Sequence, residues 1–112
     1  QADEQKASEY MKKAADEGDV FACAVLGTMY YSGDSGLFPK DYGKAFEYLS
    51  IAVTDPESLN EGLLADVYKK IGACYRFGRG TNKNISQASY YTELAAKYGD
   101  EGSVSAVRMM HK

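Results

Sequence analysis

Two short residue patterns recur along the chain, and their recurrence constrains the fold more than any single motif. Leu26, Gly27, Tyr30 and Gly33 return as Ile71, Gly72, Tyr75 and Gly78, each displaced by 45 positions. A second set, Asp3, Ala7, Tyr10 and Ala14, returns as Asp41, Ala45, Tyr48 and Ala52 after 38 positions. It returns again as Asn84, Ala88, Tyr91 and Ala95 after 81 positions, and that copy runs on through Ala96, Gly99 and Asp100. Two kinds of segment therefore alternate. A unit of this size cannot bury its apolar stripe by itself, so successive units must stack and share a core.

The apolar and small residues within each unit fall at helical spacing, which predicts six helices at about 3–17, 20–32, 41–54, 59–77, 84–98 and 101–111. Asp3, Asp41 and Asn84 precede or open these patterns and are expected to accept hydrogen bonds from first-turn amides. Gly18, Gly33, Gly78 and Gly99 stand where the helices should stop, since glycine takes the left-handed conformation that satisfies the last carbonyls. The small residues also have a packing role. Gly27 and Gly72 let a neighbouring helix approach closely, with Ala7, Ala45 and Ala88 small on the opposing helix. Leu26, Ile71, Tyr30, Tyr75, Tyr48 and Tyr91 fill the space that remains.

This joint pattern resembles the Sel1-like repeat family, a relative of the tetratricopeptide repeats, whose module reads approximately A-x-x-x-L-G-x-x-Y-x-x-G-x-G-x-x-x-D-x-x-x-A-x-x-Y-x-x-x-A-A-x-x-G. One module is carried by Ala22, Leu26, Gly27, Tyr30, Gly33, Asp41, Ala45, Tyr48 and Ala52. The next is carried by Ile71, Gly72, Tyr75, Gly78, Gly80, Asn84, Ala88, Tyr91, Ala95, Ala96 and Gly99. The resemblance implies an all-α solenoid of stacked antiparallel helix pairs. We read residues 1–112 as one repeat domain, with a half repeat at 1–18, repeats at 19–55 and 56–99, and a terminal helix or cap at 100–112.

Departures from strict repetition carry their own expectations. The loop from Gly33 to Asp41 is longer than that from Gly78 to Asn84, and its Leu37, Phe38 and Pro39 are expected to tuck against the stack. Extra residues around 55–61 should form a protruding loop or an added helical turn. In the last segment Val107, Arg108 and His111 occupy the Leu, Gly and Tyr slots. A bulky Arg108 in the glycine slot is expected to end the regular stack. The opening half module makes a longer parent chain plausible.

Composition narrows the chemistry. With 13 Lys and Arg against 16 Asp and Glu, the net charge is −3 and the pI about 5.1, so no chain-wide positive field exists to gather nucleic acid. No apolar run is long enough to cross a bilayer, and the expectation is a soluble chain, cytoplasmic or exported according to residues outside it. Two cysteines and one histidine are too few for a zinc site, so no metal and no cofactor are expected. Gly33-Asp34-Ser35-Gly36 mimics the nucleophile segment of serine proteases, but His111, the single histidine, stands alone and the context is helical. Carboxylate pairs such as Asp16 with Glu17, or Glu57 with Glu61, read as solvated helix ends. Asn84-Ile85-Ser86 fits a glycosylation acceptor, although Asn84 already has a capping role.

Some exported members of the family carry a disulfide in each module. Here Cys23 lies three positions before Leu26 and Cys74 three after Ile71, an offset of six between stacked first helices. At 1.5 Å per residue that is roughly 9 Å along the axis, beyond disulfide reach, so free buried thiols are expected.

The resemblance also implies a binding face on the concave side of the first helices. Ala24, Thr28 and Tyr31 are expected to line one inner stripe, and Lys69, Ala73 and Arg76 the next, with Lys70, Arg79 and Lys83 close by. Basic side chains there favour a carboxylate or an acidic segment, and Tyr31 and Phe77 are candidate hydrophobic anchors. The expected function is a non-catalytic adaptor that binds a partner peptide or protein, with no nucleic acid and no membrane insertion. A structural or self-assembling repeat spacer, or the regulatory domain of a larger enzyme, is the alternative.

Overall fold

The computed structural model describes residues 2–34 and 36–99, with side chains from residue 5 onward. Ser35 and the segment 100–112, with the expected sixth helix, Arg108 and His111, lie outside the described residues. Five α-helices follow one another: α1 (Ala2–Asp16), α2 (Val20–Ser32), α3 (Tyr42–Ala52), α4 (Glu61–Phe77) and α5 (Ile85–Lys97). No β-strand forms among the described residues. The molecule is elongated, 52 × 26 × 22 Å, and α2 packs chiefly on α3 as α4 does on α5.

Side-chain caps set the helix starts. Asp41 accepts from the Lys44 amide at 3.0 Å and Asn84 from Gln87 at 3.1 Å, as the spacing predicts. Asp19 and Asn60 do the same for α2 and α4, accepting from Ala22 at 3.0 Å and Leu63 at 2.8 Å. Asp3, by contrast, stands inside α1, which begins at Ala2. The four expected stop glycines all have positive φ, from 68° to 97°. The two modules also close identically: the amide of Asp41 donates to the Tyr30 carbonyl at 2.9 Å, and that of Asn84 to Tyr75 at 2.8 Å.

Within each pair the repeated tyrosines stack. Tyr30 and Tyr48 lie 6.0 Å apart and 6° from parallel, and Tyr75 and Tyr91 lie 5.9 Å apart at 12°. Gly27 faces Leu49 so closely that an added Cβ would sit 2.7 Å from its side chain, and Gly72 faces Thr92 and the backbone of Ala88. Leu26, Leu49, Val67 and Ile71 are the largest apolar side chains sealed from solvent. Each such burial contributes about 2 kcal/mol.

Contacts between modules build the solenoid. Tyr48 donates from its hydroxyl to Asp16 at 2.7 Å, the Cys23 thiol donates to the Ala15 carbonyl at 3.4 Å, and Phe46 meets Tyr75 edge-on at 5.4 Å. The extra residues before α4 form a single 3-10 turn, Pro56–Ser58, whose following residue Leu59 enters the core. In the longer loop only Phe38 tucks in, edge-on to Tyr30 at 5.3 Å, whereas Leu37 and Pro39 are exposed. One apolar side chain is enough to close the space above Tyr30, and Leu37 instead lines a surface groove together with Met11 of α1 and Met29 of α2.

Cys23 and Cys74 are buried free thiols. Burial pushes the Cys74 thiol up to about 11 from its ordinary 9.0, against the opposing pull of Arg79. Burial also raises Cys23, and the charges of Asp19 and Asp16 add to that. A thiol whose pKa is higher folded than unfolded supports folding fully below about pH 9 and loses that contribution as pH rises through 11. The wild-type protein should therefore lose stability more steeply between pH 9 and 11 than Cys74→Ala, as read from urea midpoints across that range. Equal slopes would show that burial of this thiol does not govern the alkaline limb.

Candidate functional site

The six residues expected on the inner stripes do not share one fate. Ala24 is fully buried, because α2 is covered by α1, α3 and α4 together, and it offers no surface to a partner. Thr28 is half-buried and donates its hydroxyl to the Val25 carbonyl of its own helix at 2.7 Å. Lys69 is exposed and Ala73 half-buried. Arg76 is also half-buried, with Nη2 3.5 Å from the Thr92 hydroxyl, so its guanidinium reaches toward α5. Tyr31 stands at the centre of a different group of side chains, at the junction of the two modules.

That group is assembled by the loop after α4. Gly78 stops the helix at φ 70°, the Arg79 amide donates to the Cys74 carbonyl at 2.9 Å, and Gly80, at φ 73°, lies directly against the backbone of Tyr42. Pressing this loop onto the start of α3 carries Arg79 between aromatic rings from both modules. Its Cζ lies 5.1 Å from the centroid of Tyr42, 5.8 Å from Tyr31 and 4.7 Å from Phe77. Nη1 donates to the Tyr31 hydroxyl at 2.6 Å, and Tyr31 meets Tyr42 edge-on at 5.3 Å. Two more cations join: Lys40 Nζ is 5.5 Å from the Tyr42 ring, and Lys70 Nζ is 5.6 Å from the Tyr31 ring. Each contact of this kind contributes about 0.5–1 kcal/mol where solvent reaches it.

The electrostatics are lopsided. Lys70 pairs with Asp66 at 2.6 Å, but among the described residues no carboxylate lies within salt-bridge distance of Lys40 or Arg79. Burial raises the pKa of Tyr31, while the hydrogen bond and charge of Arg79 act the other way, so its phenol keeps its proton at neutral pH. The cluster can thus offer cationic and hydroxyl donors on an aromatic floor, which is equipment for binding. Among the described residues no group of three or more His, Cys, Asp or Glu could hold a metal ion. No described helix is long and apolar enough to cross a membrane.

Sequence reasoning reached Tyr31, Lys70, Phe77 and Arg79 but missed Lys40 and Tyr42. A signal existed for Lys40: it and Lys83 each precede a cap residue, Asp41 and Asn84, at equivalent places in the two modules. Tyr42 carried none, because its role depends on a loop lying 38 residues further on. A separate apolar groove of about 630 Å³ runs between α1 and α2 below the loop that joins α2 to α3, lined by Ala7, Met11, Met29, Leu37 and Phe38 among others.

The sequence pattern of the Sel1 repeat matches residues 1–19, 20–54 and 65–100. The chain belongs to the Sel1 repeat family. Sel1-repeat proteins are generally protein-interaction modules, bind other proteins, and are typically non-catalytic scaffolds. Among solved structures the chain resembles cysteine rich protein B of Helicobacter pylori, with 30% identity and a TM-score of 0.67 over 92% of this chain and 71% of that one. It also resembles a Sel1 repeat protein from Oxalobacter formigenes, at 23% identity and a TM-score of 0.71 over 92% of this chain. The Sel1 repeats here span 27% of that longer protein, and the likeness is one of fold. No curated protein matches by sequence.

Proposed function

We propose that this Sel1-repeat chain is a non-catalytic adaptor that binds a partner protein or peptide through an acidic segment, on the side where α2 and α4 lie together. The observation that carries this reading is the gathering of positive charge on half-exposed aromatic surface at Tyr31, Lys70 and Arg79, in a chain whose net charge is −3. Overall charge does not draw an acidic partner to this protein, so attraction must be local. Charge-assisted hydrogen bonds from ammonium and guanidinium groups, together with rigid aromatic area, are what such a partner would use.

Charge reversal tests the reading. The double variant Lys69→Glu, Arg76→Glu should weaken capture of native partners by about tenfold, measured by cross-linking in the source extract and compared with the unmodified protein. Circular dichroism of the variant checks that helicity is retained, since Arg76 also contacts Thr92. Unchanged capture by a folded double variant would remove these two residues from the partner face.

A further inference from the structure

We infer that the junction of the two modules, where Lys40, Lys70 and Arg79 gather on the rings of Tyr31 and Tyr42, is the docking site for the carboxylates of an acidic peptide segment. The inference rests on the adaptor reading above and gives it a location that differs from the inner stripe of Lys69, Ala73 and Arg76.

Three features of the junction converge on this ligand. The first is uncompensated charge. Lys40 and Arg79 share the ring of Tyr42, Lys70 and Arg79 share that of Tyr31, and among the described residues Asp66 is the one carboxylate that answers them, through Lys70. Holding like charges together costs energy that the ring faces offset only in part, and an incoming carboxylate would relieve it. The second feature is donor geometry. Among the described residues the one side-chain hydrogen bond of Arg79 goes to Tyr31, which leaves its other N–H groups able to grip a carboxylate in the bidentate manner typical of arginine. Tyr31 accepts that bond and keeps its own O–H to donate beside it.

The third feature is preorganisation. Gly80 pressed on Tyr42 and the edge-on rings hold Arg79 in place, so little side-chain freedom remains to be lost on binding. Three cations on one compact spot suit two or three carboxylates of a peptide. A nucleic acid needs a longer track of phosphate contacts, and the surrounding net charge opposes it.

The experiment uses a fluorescein-labelled peptide of six glutamates flanked by glycine and serine, with six glutamines as control, read by fluorescence anisotropy at about 50 mM and 200 mM salt. The acidic peptide should bind and the glutamine peptide should not, with affinity falling as salt rises. Lys40→Glu and Arg79→Gln should each weaken binding about tenfold. Lys40 is exposed and its ammonium meets the Tyr42 ring, so Lys40→Glu keeps the test informative even where Arg79→Gln loosens the junction. Binding that survives both changes but is lost in Lys69→Glu, Arg76→Glu would overturn this location and leave the adaptor reading standing. Failure of the wild-type protein to bind the glutamate peptide would overturn both. An oligothymidylate that competes as strongly as the peptide would overturn the assignment to a protein ligand.

Discussion

Gly80→Ala should destabilise the protein by about 3 kcal/mol, a fall in melting temperature of roughly 10–15 °C for a chain of this size. Gly80 sits at φ 73°, where a side chain is strained in any surroundings. The new Cβ would also run into the carbonyl of Tyr42 and come within 3.0 Å of the Cβ of Phe46. Both obstacles belong to α3, and the backbone oxygen cannot swing aside as a flexible side chain could. Relief requires the loop to lift from the first module, which separates Arg79 from Tyr31 and Tyr42. Loss of stability should therefore come with weaker binding of the glutamate peptide at temperatures where the protein is still folded. A thermal unfolding curve that matches wild type would refute the close approach of this loop to α3.

Gly27→Ala should cost about 2 kcal/mol, and its repeat equivalent Gly72→Ala less than about 1 kcal/mol, measured by chemical denaturation of the two variants side by side. In both helices alanine brings a propensity gain of up to about 1 kcal/mol over glycine, which must be overcome. At Gly27 the added methyl would lie 2.7 Å from Cγ and Cδ2 of Leu49 and 3.1 Å from its amide nitrogen. Leu49 is completely buried and has nowhere to turn. At Gly72 the nearest atoms are the Thr92 hydroxyl at 3.1 Å and backbone atoms at 3.4 Å, a crowding that a small shift can absorb. Gly72→Leu, with three more carbons, should be strongly destabilising. An equal cost for the two alanine variants would mean that the facing side chain does not control how tightly each pair nests.

The contrast between these glycines shows where repetition in the sequence stops being a guide. The register predicts correctly that both are notches, because a period of small and large residues is a local pattern and any stacked helix pair must use it. Depth of the notch depends on whether Leu49 or Thr92 faces it, a matter of how two helices meet. Ala7 makes the same point. It shares its register with Ala45 and Ala88, which are fully buried, yet it is exposed, and Tyr10 is 74% exposed where Tyr48 is 7%. Among the described residues no helix carrying the Leu-Gly-Tyr pattern lies over α1 as α2 lies over α3, so identical residues meet solvent.

What the amino-acid order determined by itself is the sequence of alternating helices, their stops, the caps at Asp41 and Asn84, the Leu-Gly-Tyr and Ala-Tyr faces, and unpaired thiols. Each of these follows from short-range spacing: hydrogen bonds within a turn, side chains three or four apart, and rise per residue. Only the folded chain decided that Ala24 is sealed inside, that Arg76 reaches toward Thr92, and that Arg79 lies among Tyr31, Tyr42 and Phe77. Those outcomes depend on contacts between residues far apart along the chain, where helix crossing and loop path place a charge beside a ring and no periodicity records it.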